Sequence, residues 1–367
     1  MHAELRGKLL IDFEGVDGSG KHTQATILNR TINDHGAKSH CISFPNYDSQ
    51  SSYLVKKFLN GDYEKALNTS VGYWSYYDES PVDNSLSHIK MICNLYTMDQ
   101  FDTWNSPYGE NKIIPKDEYL ANRAIITDRF WLSNVIYQSV RLFMEMINSP
   151  NNMNADRLAK LFADIYRGNS GYAKPIVIND FSLVSYPNFH YLFSDDVLLY
   201  AFRNIRTSSA SWMGPIIHNY YPNEKSVSGP HSTLAVFKYC VNSIAEYIVS
   251  QVRQADLYYP NLCFNLFFQD YALGRSLLMN REGEKDMNES SMTYMSLVNY
   301  LSPFVLKYLS EIIRKEKYSL FYNTSYKVVN IPCMDEKSKI RSMEDIANNI
   351  RNIALTYFAL KEDIDYE

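Results

Sequence analysis

Short apolar runs alternate along the chain with stretches whose apolar residues recur at helical spacing. Five of the runs have the length of buried strands: residues 8–13, 39–44, 123–127, 189–193 and 326–331. After the first run, Ile27, Leu28 and Ile32 lie on one face of a predicted helix. Strands that alternate with helices in this way predict a three-layer α/β fold, with a mostly parallel five-stranded sheet flanked by helices, plus helical insertions.

The spacing of these elements predicts a single domain over residues 1–367 with one large insertion. The predicted core comprises residues 1–206 and 322–367. Residues 207–321 are predicted to be a mainly helical insertion, because stretches such as FKYCVNSIAEYIVSQV repeat their apolar residues every three or four positions. We expect this insertion to form either an oligomer surface, as in a homodimer, or a cover over the site.

Composition and charge exclude several classes of protein. With 46% hydrophobic and 21% charged residues, the chain is typical of a globular protein. Its formal net charge of −5 leaves no basic surplus for a phosphate backbone, which argues against nucleic acid as a partner. No apolar run approaches the roughly 18 residues of a membrane span, so we expect no membrane partner. The five dispersed cysteines are typical of reduced thiols, which favours a cytoplasmic location.

A glycine-rich segment between the first predicted strand and helix has the spacing GxxxxGK, formed by Gly15, Gly20 and Lys21. Glycines let successive backbone N–H groups point at anionic oxygens, and the helix adds the positive end of its dipole. Lys21 can reach the terminal phosphates of a nucleotide. The segment therefore predicts a phosphate-binding loop (P-loop) for ATP in a fold of the P-loop NTPase type. Its predicted ATP-binding residues are Gly15, Gly18, Ser19, Gly20, Lys21, His22 and Thr23.

The residue after the loop lysine departs from the usual pattern, because His22 stands where a Ser or Thr hydroxyl normally binds Mg²⁺. Imidazole is a poor ligand for this hard cation. We therefore expect Mg²⁺ to be held through water or by another carboxylate. Asp128, at the end of the third predicted strand, is the candidate for indirect contact through water. Arg129 beside it has the planar fork that suits bidentate phosphate binding.

Several ordered segments together resemble the thymidylate kinase family of P-loop nucleoside monophosphate kinases, with large insertions. The resemblance rests on IDFEGVDGSGKHTQ, FPNYDSQSS, LYTMDQF, TDRFWLSNVIYQ, YKVVNI and the closing RSMEDIANNI helix. It covers about half of the chain. It implies ATP and Mg²⁺ as cofactors and ATP and dTMP as the small-molecule partners.

The resemblance also implies individual roles. Asp17 would lie between the two nucleotides, near the sugar 3′-hydroxyl and the magnesium. Phe44 would line the monophosphate pocket, and Tyr96 would stack on the thymine. The catalytic residues implied are Asp17, Lys21, Arg129 and a lid arginine, and those implied for dTMP are Asp17, Phe44, Tyr96, Gln100, Arg129, Ser133 and Gln138.

Three positions qualify the resemblance. Gln100 and Asn46 stand where the family usually carries arginines, so two cations are missing around the acceptor. Position 18 is glycine, which predicts that the catalytic arginine lies in a mobile lid. Arg206 is the candidate, and Arg203 is the alternative.

The leading hypothesis is an ATP- and Mg²⁺-dependent kinase that converts dTMP to dTDP for dTTP synthesis by direct in-line phosphoryl transfer. Two alternatives stay open. One is a kinase for another acceptor, either dUMP or a deoxynucleoside. The other is a P-loop scaffold or regulator that binds a nucleotide but has lost transfer, for which His22, Asn46 and Gln100 are the supporting residues.

Overall fold

The structure is a computed structural model, and it describes residues 9–62, 81–105, 124–147, 153–167, 193–203, 205, 213–220, 229–255, 257, 259–279, 291–315, 326–335 and 339–362. Within these ranges, five strands form one parallel sheet in the order β2-β3-β1-β4-β5. The strands are β1 (Leu9–Gly15), β2 (Ser39–Ser43), β3 (Ala124–Asp128), β4 (Leu262–Phe267) and β5 (Lys327–Pro332). This parallel sheet flanked by helices confirms the predicted P-loop NTPase-type fold class.

Helices precede, follow and connect the strands. The described helices are α1 (Lys21–Asp34), α2 (Tyr53–Leu59), α3 (Pro81–Asn105), α4 (Trp131–Ile147), α5 (Met153–Tyr166), α6 (Asp195–Phe202), α7 (Met213–Tyr220), α8 (Pro230–Gln254), α9 (Tyr271–Met279), α10 (Met292–Lys315) and α11 (Met343–Glu362). Helices α1 and α11 pack against each other, and α1 contacts β1, β2 and β3. Helices α4, α8 and α10 form a second group, from which α4 and α10 contact the sheet.

The central strand β1 explains where the site lies. All seven of its residues are buried, because β3 and β4 cover its two edges and helices cover its faces. In the register of the sheet, Phe13 is paired with Asp128 of β3, and Gly15 with Leu266 of β4. The carboxyl ends of three neighbouring strands therefore meet at one edge, which is where ligands bind in open α/β sheets.

The assignment of residues 207–321 to an insertion outside the core is wrong for β4. Strand β4 lies inside that range and pairs with β1 and β5, so it is an inner strand of the sheet. Its LCFNLF sequence is fully buried, which provides the apolar contacts that an inner strand requires. Helices α8 and α10 from the same range also contribute many fully buried side chains.

Among the described residues the fourth strand in chain order is β4, and the strand predicted at residues 189–193 is for the most part not described. Residues 189–192 lie outside the described part of the chain, and Phe193 lies in a turn before α6. Its ring packs edge-on against Phe267 of β4 and Phe304 of α10. The apolar run at 189–193 has strand-like composition, but composition alone does not decide which run pairs with β1. The other four strands are confirmed, each with ends within two residues of the predicted ones.

A polar cluster joins three helices away from the sheet edge. Asp195, at the start of α6, accepts hydrogen bonds from Lys238 of α8 (2.7 Å) and from Lys307 (3.0 Å) and Tyr308 (2.8 Å) of α10. Partial burial acts to raise the pKa of Asp195, but these donors outweigh it and lower that pKa to about 2. The cluster therefore stabilises the packing of α6 on α8 and α10.

Candidate active site at the carboxyl edge of the sheet

The loop between β1 and α1 has the backbone that its glycines predict. Gly15 has a φ of +135°, and a Cβ atom there would lie 2.2 Å from the carbonyl oxygen of Leu266. Only glycine fits this contact between β1 and β4. Gly20 has a φ of +87° and precedes the first residue of α1, Lys21. The loop thus brings the N-terminus of α1 to the carboxyl edge of the sheet, in the arrangement that binds phosphate groups.

Lys21 lies inside this loop and is only 5% exposed. Its Nζ donates to the carbonyl oxygen of Val16 (2.8 Å) and lies 3.6 Å from Oδ1 of Asp17. The ammonium group is therefore held in the curve of the loop, where it can neutralise a bound phosphate.

Arg129 provides a second cation at the same place. It follows β3 with a φ of +66°, a left-handed conformation that is uncommon for residues other than glycine, and its N–H donates to Phe13 O (3.0 Å). Its guanidinium forms an ion pair with Asp17, the carboxylate that Lys21 also approaches. Asp17 therefore lies between the P-loop lysine and Arg129.

A buried carboxylate lies behind this turn. Glu14 accepts a hydrogen bond from the backbone N–H of Phe130 (3.3 Å) and another from the Ser133 hydroxyl. Burial raises the pKa of Glu14. Burial also raises the pKa of its neighbour Asp12 well above the usual value, and the negative charge of Glu14 adds to the shift. The contacts of Glu14 fix the chain on the C-terminal side of Arg129 and so orient that arginine.

A pocket opens beside Arg129, and its wall is formed by thirteen described residues. All seven residues predicted for dTMP line it: Asp17, Phe44, Tyr96, Gln100, Arg129, Ser133 and Gln138. The structure therefore brings together residues that are up to 121 positions apart, counted from 17 to 138. Whether each contacts a nucleotide stays a prediction.

The sequence analysis missed six further residues of the pocket wall: Pro45, Leu59, Asp99, Phe130, Asn134 and Tyr137. Asn134 and Tyr137 lie on α4 beside predicted residues. Tyr137 could have been predicted, because it lies four positions after Ser133 and therefore on the same face of the helix. Leu59 gave no such signal, because α2 reaches the pocket through tertiary packing on α3.

Aromatic rings form much of the pocket wall. The rings of Phe44 and Phe130 lie 5.5 Å apart, and Trp104 packs behind Phe130 at 5.4 Å. The Tyr96 ring meets Phe58 of α2 edge-on at 6.4 Å. Such walls are suited to a flat apolar group such as a nucleobase.

Amide groups supply polar atoms to the same pocket. The side-chain oxygens of Gln100, Asn134 and Gln138 are buried and have no hydrogen-bond partner within the described ranges. The orientation of the Asn134 amide is determined, because its Nδ2 donates to the carbonyl oxygen of Cys93 (3.0 Å). The atom of this amide that has no partner within the described ranges is therefore the oxygen, which can only accept. Buried acceptors of this kind are normally satisfied, so these oxygens point to a ligand with N–H groups.

Asp99 connects the segment after β2 to α3. It accepts hydrogen bonds from the backbone N–H of Asn46 (2.9 Å) and from the hydroxyls of Ser49 (3.1 Å) and Ser51 (3.0 Å). Burial nevertheless raises its pKa. The Asn46 amide itself donates to Thr103 (3.3 Å), so it serves this connection rather than supplying the charge that the family places there.

His22, directly after the P-loop lysine, also has an unusual environment. Its Nδ1 lies 3.1 Å from Oδ2 of Asp128 and 3.3 Å from Oγ of Ser43. The carboxylate of Asp128 and the hydroxyl of Ser43 fit a Mg²⁺ ion that is held through water, whereas the imidazole does not. Within the described residues, here as elsewhere, no group of three or more His, Cys, Asp or Glu side chains is arranged to hold a metal without further ligands.

The predicted lid arginine is not located. Arg206 lies outside the described residues. The alternative, Arg203, stacks over the Tyr200 ring (3.9 Å) and lines a separate groove with Arg157 and Lys160. A further arginine, Arg275, lies in the range that was predicted to be an insertion. It belongs to α9, which begins just after β4, the strand beside β1.

The glycine-rich loop between β1 and α1, at the edge of a parallel sheet, defines a P-loop nucleotide-binding fold. No protein-family model matches the chain. A curated protein of Invertebrate iridescent virus 6, provisionally named a thymidylate kinase, is 32% identical over 99 residues. The match covers 26% of this chain and 46% of the viral protein, so the chain spans about half the length of that relative. In this part the chain is thymidylate kinase-like.

Among solved structures, a thymidylate kinase from Candida albicans matches 95% of this chain and 92% of its own length, at 15% identity and a TM-score of 0.38. That score is too low to support a statement about function.

Across the described residues, no helix combines the length and the apolar character needed to cross a bilayer.

Proposed function

We propose that the protein is a nucleoside monophosphate kinase that transfers the γ-phosphoryl group of ATP to dTMP, producing dTDP and ADP. The observation that carries the proposal is the position of Asp17, which lies between Lys21 of the P-loop and Arg129 of the aromatic pocket. A phosphate-binding loop and an aromatic pocket thus share one boundary. Two nucleotides bound there would meet with their phosphates facing each other.

The two cations at this boundary support the proposed phosphoryl transfer. Lys21 would neutralise the phosphates of ATP, and Arg129 would bind the acceptor phosphate. An oxygen of the dTMP phosphate attacks the γ-phosphorus, and the bond from that phosphorus to the β,γ-bridging oxygen breaks. The protein contributes orientation and charge stabilisation, so no covalent intermediate is needed.

A divalent cation would add charge neutralisation between the phosphates. Asp128 and Ser43 are the residues that would hold Mg²⁺ through water. Asp128 is 13% exposed and lies at the end of β3, next to Arg129. The cation would therefore lie on the P-loop side of the boundary.

The aromatic and amide wall supports a pyrimidine monophosphate as the acceptor. Phe44, Phe130 and Tyr96 provide flat apolar surface, and the acceptor oxygen of Asn134 suits the ring N–H of thymine. Uracil carries the same N–H, so dUMP remains the nearest competing acceptor. A deoxynucleoside would leave Arg129 without its phosphate.

The lid arginine has two candidates. Arg206 remains the prediction from sequence. Arg275 has topological support, since α9 begins at the carboxyl edge of the sheet beside the P-loop. Replacing each by alanine separately would distinguish them: the lid residue should lower kcat without changing the affinity for dTMP.

The proposal is tested by ADP release from ATP and Mg²⁺ in the presence of dTMP, dUMP, thymidine or no acceptor. We expect turnover that depends on dTMP. Preference for thymidine would assign the protein to nucleoside kinases. Absence of turnover with every acceptor, together with measurable ATP binding, would indicate a P-loop scaffold that has lost transfer.

A further inference from the structure

His22 occupies the first turn of α1, directly after the P-loop lysine, and its side chain is 73% exposed. Its Nδ1 lies 3.1 Å from Oδ2 of Asp128, a carboxylate with a side chain only 13% exposed. The same oxygen accepts a hydrogen bond from the Ser43 hydroxyl (3.3 Å). The imidazole is thus oriented by a group on the neighbouring strand while most of its ring faces solvent.

The contact with Asp128 determines which ring nitrogen carries the proton. An ionised carboxylate only accepts hydrogen bonds, so Nδ1 must be the donor. In a neutral imidazole, the other nitrogen, Nε2, then carries a free lone pair. A carboxylate that accepts from one ring nitrogen is the usual arrangement around histidines that bind a metal through the other.

The position of this lone pair suggests a ligand. Under the proposed function, the ATP phosphates lie at the N-terminus of α1, and a divalent cation accompanies them. Imidazole binds the later first-row transition metals, such as Co²⁺, well and binds Mg²⁺ poorly. The hydroxyl that would favour Mg²⁺ at position 22 is absent.

We propose that Nε2 of His22 is a direct ligand of the nucleotide-bound cation and that this site prefers a later first-row transition metal such as Co²⁺ over Mg²⁺, with Mn²⁺ serving as the spectroscopic probe of the nitrogen ligand. Asp128 acts as the positioning residue for the imidazole. The proposal rests on the proposed function for the presence of nucleotide phosphates. It goes beyond that function by assigning the metal class and a nitrogen ligand.

Pulsed electron paramagnetic resonance of Mn²⁺ with ADP on the full chain tests the proposal directly. A coordinated imidazole produces ¹⁴N modulation of the Mn²⁺ echo, which oxygen ligands do not. We expect that modulation in the wild-type protein and its loss in His22→Ser. The matched control is His35→Ser, because His35 ends the same helix and contacts only a backbone oxygen in the described hydrogen bonds (Thr31 O, 2.7 Å); it should retain the modulation.

Calorimetry of Co²⁺ and Mg²⁺ binding to the ADP-loaded protein supplies a second measurement. His22→Ser should weaken Co²⁺ binding and leave Mg²⁺ binding equal or stronger, since serine restores a hydroxyl. Asp128→Asn should also weaken Co²⁺ binding, by about 10- to 100-fold for a lost partner of a metal-bound histidine.

The outcomes separate the two proposals. Bound Mn²⁺–ADP without ¹⁴N modulation in the wild type, or equal modulation in His22→Ser, would overturn the metal assignment and leave the kinase proposal intact. A protein that binds no ADP with any cation would overturn both.

Discussion

The two sides of the site are built differently. On the ATP side, the backbone forms the site: Gly15 fits only because it lacks a Cβ, and Gly20 has a positive φ where the chain enters α1. On the acceptor side, side chains from α3, from α4 and from the segments after β1, β2 and β3 form most of the wall, and among the described residues of that wall Arg129 is the one cationic side chain. The P-loop therefore tolerates little change, whereas the acceptor wall can exchange charged groups for amides and keep its shape.

Two of the departures from the thymidylate kinase resemblance, Asn46 and Gln100, fall on the acceptor side, where side chains form the site. The third, His22, follows the loop lysine and leaves the glycine backbone of the P-loop unchanged. The backbone of Asn46 is bound by Asp99, and Gln100 remains in the wall with its amide oxygen buried. Under the proposed function, the acceptor phosphate would meet fewer cations, so the loss of Arg129 should weaken acceptor binding strongly.

The largest expected effect is that of Lys21→Ala, on the ATP side. Removal of a preorganised charge from a transition state commonly lowers kcat by about 10²- to 10³-fold. We expect at least that loss in ADP release with dTMP. The protein should stay folded, because Asp17, which loses the contact with Lys21, keeps its ion pair with Arg129. An unchanged rate would contradict the P-loop mechanism.

The next effect concerns Arg129, on the acceptor side. Arg129→Ala should weaken dTMP binding by about 1.5–3 kcal/mol, as expected for a hydrogen bond to a charged group, while ATP affinity stays nearly constant. Calorimetry with each nucleotide measures both. Equal dTMP affinity in the variant would refute the role of Arg129.

Arg129→Gly is the matched comparison, because Arg129 has a φ of +66°. Glycine removes the guanidinium in the same way but adopts this backbone without strain. We expect the same loss of dTMP affinity as for alanine, with a free energy of unfolding about 1 kcal/mol higher than that of Arg129→Ala. Equal stability of the two variants would show that the turn is not strained.

A smaller effect is expected for Gln100→Met, which replaces the amide by an apolar group of similar size. The buried oxygen of Gln100 has no partner within the described ranges, so its loss should not destabilise the free protein. If the oxygen binds the base, dTMP affinity should fall by about 0.5–1.5 kcal/mol. Unchanged dTMP affinity would assign Gln100 a packing role only.

The smallest effect lies outside the site, at Asp195. Its pKa is lowered from 3.8 to about 2 in the folded protein, so its stabilising effect is complete above pH 3.8 and is lost as the pH falls through 2. Asp195→Asn should lower the stability at pH 7 by on the order of 1 kcal/mol, allowing for solvent screening. Thermal unfolding from pH 7 to pH 2 should show the two proteins converging at low pH without any change in dTMP affinity at pH 7. A difference that persists at pH 2 would contradict the assignment to the Asp195 carboxylate.

The parts of the fold that could be predicted from the sequence are those with local signals. The P-loop and four strands were predictable, because Gly15, Lys21 and the short apolar runs are local signals. Strand β4 was not predicted, because LCFNLF lies between long helical stretches and its place beside β1 depends on a contact between distant residues. Seven residues of the pocket wall were predicted through the resemblance, while Leu59 reaches the wall through the packing of α2 on α3, which leaves no local pattern.

The most direct test of the proposed kinase reaction detects the phosphate groups of its substrates and products. Phosphorus-31 NMR of a mixture of the protein, ATP, a divalent cation and dTMP identifies every phosphate product. We predict that ADP and dTDP appear in equal amounts and that neither forms with Lys21→Ala. Unchanged ATP, or inorganic phosphate in place of dTDP, would contradict the claim that Asp17 lies between a phosphate donor and a phosphate acceptor.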